Sequence, residues 1–151
     1  MPSALRLDAF LPYRLSIASN RVSDAIASTY RVLFGLRIPE WRLVAVLAEG
    51  EGMTQQALGR ATRMDKVTVS RAAIALVERG LVRRDPNPGD QRSHLVALTP
   101  AGRALYDDVA PKALEIEAQV FADFDAGEVE AFRAMLMRIE GAAAALDADR
   151  G

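Results

Sequence analysis

The sequence contains no cysteine and only one histidine, His94. The lack of cysteine excludes disulfides, thiolate zinc sites and thiol-based redox sensors. A single imidazole leaves metal sites built on several histidines, and most histidine-centred catalysis, without the side chains that they require. Uncharged apolar runs of about 18 residues are also missing, and Arg6 and Asp8 interrupt the N-terminus where a signal peptide needs an apolar stretch. We therefore expect a cytoplasmic protein that does not contact a membrane.

Motifs of the common enzyme classes are missing as well. The chain has no P-loop, no dinucleotide fingerprint and no nucleophile elbow, and its ten glycines are scattered. We therefore predict that the protein is not an enzyme and that it uses no cofactor and no metal.

The charges of the chain are unevenly distributed, although the formal net charge is only −1. Residues 53–103 contain nine Lys/Arg against four Asp/Glu, whereas residues 104–151 contain four against eleven. A basic middle segment indicates contact with a polyanion, while an acidic tail faces solvent or a partner. An ordinary solvated surface produces the same pattern, so charge alone leaves both interpretations open.

Two helical patterns in the basic segment are separated by a turn of three or four residues around Thr62, Arg63 and Met64. The first, TQQALGRA, begins at Thr54 as an N-cap, and the second, DKVTVSRAAIALVERG, begins at Asp65. This spacing predicts a helix-turn-helix. Four apolar side chains of the second helix are expected to pack inward: Val69, Ala73, Leu76 and Val77.

The N-terminal half of the second helix is small, polar and cationic, with Lys66, Thr68, Ser70 and Arg71 on its more exposed side. A recognition helix needs this character, because the major groove admits an α-helix and an arginine pairs with the edge of guanine. A solvated helix N-terminus is the alternative, since these residue types are common there.

Downstream, LVRRD and HLVALT are β-prone and flank the loop DPNPGDQRS, a pattern that predicts a β-hairpin. Beside a recognition helix such a hairpin is a wing, whose tip reaches phosphate or a minor groove. Arg92 is the predicted tip contact, and Asp90 either pairs near that arginine or braces the loop. A plain polar turn is the alternative.

Long amphipathic helices flank this region. Apolar or small residues recur every three or four positions from Leu11 to Leu33, and again from Val129 to Leu146 after an Asp125–Glu128 capping box. A winged helix of about 60 residues has too little surface to cover these seams, so we expect partner helices from a second subunit. An intramolecular bundle is the competing interpretation.

The stretch DKVTVSRAAIALVERGLVRRDPNPGDQRSHLVALTPAGRAL combines the second helix, a wing with Asp90-Gln91-Arg92 at its tip, and an LTPAG motif that opens the next helix. With it, residues from about 39 to 105 resemble the MarR family of winged-helix transcription regulators. The flanking helices are similar to that family in architecture rather than in motif.

The resemblance implies a mainly α fold with a small β-wing, as one domain over residues 1–151. Residues 39–103 would form the winged helix-turn-helix lobe, and residues 1–38 and 104–151 the dimerisation helices. It also implies a homodimeric repressor on a pseudo-palindromic operator in double-stranded DNA. The predicted DNA-binding residues are Thr54, Gln55, Arg63, Lys66, Thr68, Ser70, Arg71, Asp90 and Arg92.

A small effector usually releases members of this family from DNA, and its pocket lies where the dimerisation helices meet the DNA-binding lobe. Five candidates lie in the first helix and in the PEWRL helix: Tyr13, Arg14, Asn20, Trp41 and Arg42. Stacking plus a cationic clamp would suit an aromatic carboxylate or its thioester. The stretch LDAFLPYRLSIASNRVS is also similar to family members that sense hydroxycinnamate-type compounds. Surface arginines and a core-anchoring Trp41 are the alternatives, as are a protein-binding winged helix and a DNA-binding protein without an effector.

Overall fold

The computed structural model describes residues 4–150. A 3-10 turn at Leu7–Ala9 precedes helices α1 (Leu11–Phe34), α2 (Ile38–Ala48), α3 (Gln55–Thr62) and α4 (Lys66–Glu78), strands β1 (Val82–Pro86) and β2 (His94–Leu98), and helices α5 (Pro100–Val120) and α6 (Ala126–Arg150). The predicted mainly α fold with a small β-wing is confirmed. None of the helices in this described part of the chain is long and apolar enough to cross a membrane.

The chain divides into two compact units, and the boundary between Leu114 and Glu115 falls inside α5. The first unit contains α1 to α4, the hairpin and the start of α5, and the second contains the end of α5 together with α6. The single domain over residues 1–151, with a DNA-binding lobe at 39–103 between dimerisation helices, stays a prediction.

The core of the first unit is aliphatic. Its fully buried side chains include Leu43, Val44, Leu58, Val69, Leu76 and Val96, which come from α2, α3, α4 and the hairpin. The prediction that Val77 packs inward is wrong, because this side chain is 36% exposed and Ala72 is buried instead. The buried stripe of α4 continues from residue 69 through 72, 73 and 76, and residue 77 lies a further 100° around the helix.

Side-chain caps set where α3 and α4 begin. Thr54 Oγ1 accepts the Ala57 backbone N–H at 3.1 Å, and Asp65 Oδ1 accepts the Thr68 backbone N–H at 2.8 Å. Each bond satisfies an N–H that has no partner inside its helix, so both predicted N-caps are confirmed. At the C-terminal end of α1, Gly35 has a φ of 63°, a left-handed conformation that favours glycine.

The hairpin lies beside the start of α3. Its strands are antiparallel, with Val82 opposite Leu98 and Arg84 opposite Val96. Met53, two residues before α3, donates its N–H to the Val96 oxygen at 2.9 Å and accepts the Val96 N–H at 2.7 Å. These two bonds join the wing to the helix-turn-helix and hold the loop at its tip near the N-terminus of α3.

In the second unit, the predicted capping box opens α6. Asp125 Oδ1 accepts the Glu128 N–H at 2.8 Å, and Glu128 Oε1 accepts the Asp125 N–H at 3.1 Å. The apolar seam of α6 remains open to solvent in the single chain, with Ile139 44% and Leu146 64% exposed.

Candidate nucleic-acid interface

The N-terminal half of α4 presents a polar surface that Asp65 organises. Asp65 Oδ2 accepts the Thr68 hydroxyl at 2.9 Å, in addition to the backbone bond at Oδ1. The two hydrogen bonds from Thr68 hold the pKa of the Asp65 carboxyl below its ordinary value. Because its proton is already donated, the Thr68 hydroxyl can act towards a ligand only as an acceptor. Lys66 and Arg71 are exposed, and Ser70 is half-buried.

The turn between α3 and α4 depends on a left-handed residue, Arg63. Its φ of 57° makes it the one non-glycine residue with positive φ among residues 4–150. The turn is tight, since a Cβ on Gly59 would lie 3.3 Å from the Met64 carbonyl oxygen. Arg63, Lys66 and Gln55 line a cleft of about 710 Å³ between the two helices. Arg60, which the sequence analysis did not select, lines the same cleft.

The wing tip is braced by its own side chains. Asp90 Oδ1 accepts the Arg92 backbone N–H at 2.9 Å. Asn87 accepts the Gly89 N–H at 3.0 Å and donates to Ser93 Oγ at 2.9 Å. Of the two roles considered for Asp90, the structure shows the brace. No ion pair links Asp90 to Arg92 in the described chain, and the Arg92 side chain is exposed.

A second cleft, of about 380 Å³, joins the wing to the N-terminus of α3. Thr54, Gln55 and Arg92 line it, as predicted DNA-binding residues, together with Arg84 and His94. Neither Arg84 nor His94 was predicted from the sequence. Arg84 could have been found from the two-residue period of a strand, because it lies two residues after buried Val82 and therefore on the same face of β1.

Except for Ser70, the predicted DNA-binding residues thus fall around three clefts. Asp90 also lines the cleft beside the wing, and Thr68 and Arg71 line a third cleft next to α2. Ser70 lines none of these three. Within residues 4–150, no group of three His, Asp or Glu side chains is placed to hold a metal ion.

Among the effector candidates, Trp41 belongs to an aromatic cluster within the first unit. Its ring meets Tyr30 of α1 edge-on, with centroids 5.6 Å apart, and stacks on Tyr106 of α5 at 5.9 Å and 14°. Arg103 lies over the other ring of that stack, 5.9 Å from the Tyr106 centroid. Burial raises the pKa of the Tyr30 hydroxyl. Trp41, on α2, therefore packs between α1 and α5 while remaining partly accessible.

Arg42 follows Trp41 on α2 and is exposed, whereas the effector candidates on α1 lie away from this cluster. Tyr13 precedes Tyr30 by 17 residues of continuous helix, a separation of about 26 Å along α1. Asn20 is ten residues from Tyr30, or about 15 Å. Tyr13 and Trp41 of one chain therefore do not reach the same small ligand.

Comparison with known proteins identifies the family. The sequence profile of the MarR family matches residues 34–93, which include α2, the helix-turn-helix, β1 and the loop at the wing tip. The crystal structure of a MarR-family transcriptional regulator from Silicibacter pomeroyi is similar over 91% of this chain and 94% of its own, with 32% identity and a TM-score of 0.75. This chain belongs to the MarR family.

Two further relatives bear on function. The transcriptional repressor NicR of Pseudomonas putida is 35% identical over 86 residues, which cover 57% of this chain and 54% of NicR. The match thus spans about half the length of NicR. CouR from Rhodococcus jostii RHA1, solved with p-coumaroyl-CoA bound, is 26% identical with a TM-score of 0.79, covering 90% of this chain and 95% of CouR.

Proposed function

We propose that this MarR-family chain is a transcriptional repressor that binds a pseudo-palindromic DNA operator as a homodimer and leaves it when a small effector binds. The observation that carries this proposal is the exposed, polar half of α4 beside a braced wing with an arginine at its tip. The likeness to the repressor NicR supports the direction of regulation.

In the proposed complex α4 enters the major groove, with Lys66, Thr68 and Ser70 nearest the base edges. Thr54, Gln55 and Arg63, around the two clefts on α3, contact phosphates that border the groove. Arg92 enters the adjacent minor groove, where a narrow A·T-rich segment concentrates negative potential. Asp90 contributes by holding the Arg92 backbone and makes no DNA contact of its own.

The homodimer is proposed from apolar side chains that a single chain leaves in water. Leu11 and Leu33 of α1 are 72% and 54% exposed. In the seam of α6, Phe132, Ile139 and Leu146 are also exposed. Each large apolar side chain gains roughly 1.5–3 kcal/mol from full burial, so two such helices favour association strongly. A symmetric dimer would also space two copies of α4 for the two halves of a pseudo-palindromic operator.

The effector is proposed to be an aromatic carboxylate or its thioester, as the CoA thioester bound to CouR suggests. Trp41 offers a partly accessible ring for stacking, and Arg42 beside it in sequence is exposed. Because Tyr13, Arg14 and Asn20 lie far along α1 from this ring, they can contribute to such a pocket only from a second copy in the dimer.

The experiment that tests the proposal is selection of duplexes from a random pool on the purified protein, followed by titration of a selected duplex at several salt concentrations. We expect a retained pseudo-palindrome whose affinity falls steeply with salt and exceeds that for random DNA by at least about 10³-fold. p-Coumaroyl-CoA and free p-coumarate then serve as effector probes. Failure to enrich any duplex at low salt would contradict DNA binding and favour a protein-binding winged helix.

A further inference from the structure

Three arginines, Arg37, Arg71 and Arg79, line one cleft of about 400 Å³ beside α4, which we name the arginine cleft. Arg37 immediately precedes α2, whereas Arg71 lies in the second turn of α4 and Arg79 follows the end of that helix. Thr68 lines the same cleft, and Glu40 supplies its single carboxylate. The arginine cleft is therefore positively charged and adjoins the polar half of α4.

Arg79 has a structural task within this cleft. Its Nη1 donates to the Gly35 oxygen and its Nη2 to the Phe34 oxygen, both at 3.1 Å. These carbonyls lie at the C-terminal end of α1, where intrahelical donors are no longer available. Arg79 thus ties the end of α1 to the end of α4 and holds the walls of the cleft in place.

Arg37 and Arg71 have no such partners. Within residues 4–150, neither guanidinium has a carboxylate at ion-pair distance. Glu40 is only 8% exposed, and its Oε1 accepts the Arg37 backbone N–H at 2.9 Å. Two exposed guanidinium groups that share a cleft without a protein counter-ion are suited to bind an external oxyanion, because each presents a fork of N–H donors.

We propose that Arg37 and Arg71 together bind one backbone phosphate of the DNA that α4 enters. This inference rests on the proposed function. A helix in the major groove is bordered by phosphates, and arginines beside it set its register on the duplex. Arg37 then extends the DNA interface to the segment between α1 and α2. Arg71 then positions α4 on the DNA backbone and reads no base. From the sequence alone, its place in the recognition helix favoured a contact with a base.

The test compares Arg37→Gln, Arg71→Gln and the double variant with Arg138→Gln, which removes one exposed positive charge from α6. Affinities for a selected operator and for a scrambled duplex of the same composition are measured by fluorescence anisotropy at several salt concentrations. Each single cleft variant should bind both duplexes about tenfold more weakly. Its slope of log K against log salt should fall by up to about 0.9. Because both arginines share one phosphate, the double variant should lose little more than either single variant.

A purely structural role would not change the salt slope, and Arg37→Lys should restore the slope while recovering only part of the affinity. The proposal is overturned if Arg37→Gln matches Arg138→Gln in slope and affinity. It is also overturned if Arg71→Gln weakens only operator binding, since that marks a base contact. A rise in Tm with inorganic phosphate alone, lost in Arg37→Gln, would assign the cleft to a free anion instead. A parent chain that binds neither duplex would contradict the proposed function itself.

Discussion

Gly102, in the LTPAG motif, should be the least replaceable small residue of the first unit. It is buried in the first turn of α5, against the start of β1. A Cβ added there would overlap the Leu81 carbonyl oxygen and would lie 3.0 Å from the Leu81 carbonyl carbon and 3.1 Å from Leu98 Cδ2. The carbonyl belongs to the backbone and cannot rotate away, so α5 itself has to move by on the order of 1 Å.

Such a movement breaks a group of hydrogen bonds around Thr99. Its N–H donates to the Leu81 oxygen at 3.1 Å, its hydroxyl donates to the Gly80 oxygen at 2.6 Å, and its Oγ1 accepts the Gly102 N–H at 3.1 Å. At about 1 kcal/mol for each bond, their loss costs roughly 3 kcal/mol. The better helix propensity of alanine returns up to about 1 kcal/mol. Gly102→Ala should therefore lower the free energy of unfolding by about 2–3 kcal/mol.

The assay is urea unfolding of parent and variant at one protein concentration, followed by circular dichroism at 222 nm and by the fluorescence of Trp41. Trp41 is the only tryptophan in the sequence and stacks on Tyr106 of α5, so its emission reports a displaced α5. Gly50→Ala is the matched control, because nothing lies within 4 Å of a Cβ added at Gly50. An unfolding free energy of Gly102→Ala within about 0.5 kcal/mol of the parent would contradict the predicted overlap with Leu81, since that is the range expected of an unstrained surface change.

Three further outcomes are expected. Because hydrogen bonds from Thr68 lower the pKa of Asp65 from 3.8, their stabilisation is present above that pH and is lost as pH falls through the folded-state pKa. The difference in urea midpoint between parent and Asp65→Ala should therefore be clear near neutral pH and vanish on acidification, and a constant difference would exclude the carboxylate as its cause. Arg92→Ala should weaken binding most on operators with A·T-rich flanks and leave Tm unchanged. If the variant binds every duplex as tightly as the parent, the hairpin loop is a plain turn and makes no DNA contact through Arg92. Sedimentation should find a dimer at micromolar concentration, and Leu136→Asp should abolish folding, so a stable folded monomer would contradict the proposed dimer.

Local features were predictable because their chemistry involves residues three or four positions apart. The caps at Thr54 and Asp65 satisfy N–H groups within the same turn, so the boundaries of the helix-turn-helix follow from sequence. The hairpin follows from β-prone stretches on either side of a Pro/Gly loop. Val77 was expected to be buried because valine is apolar. Its angle around α4 nevertheless places it outside the buried stripe of the helix.

The candidate sites were less predictable, because they join distant segments. Arg37 and Arg71 lie 34 positions apart in sequence and share a cleft only because α2 packs against α4. Tyr13 and Trp41 looked like members of one pocket, yet Tyr13 lies about 26 Å along α1 from Tyr30, the residue that Trp41 contacts.

Periodicity and neighbours along the chain were enough to predict the element types, the helix caps and the hairpin. The family followed separately, from the resemblance of the stretch between Asp65 and Leu105 to MarR regulators. The folded chain was needed to show which arginines share a cleft, which ring Trp41 stacks on and why the LTPAG motif needs Gly102. These features arise where segments far apart in sequence come within a few ångströms of each other. The dense packing of the aliphatic core sets those distances, and no pattern along the chain specifies them.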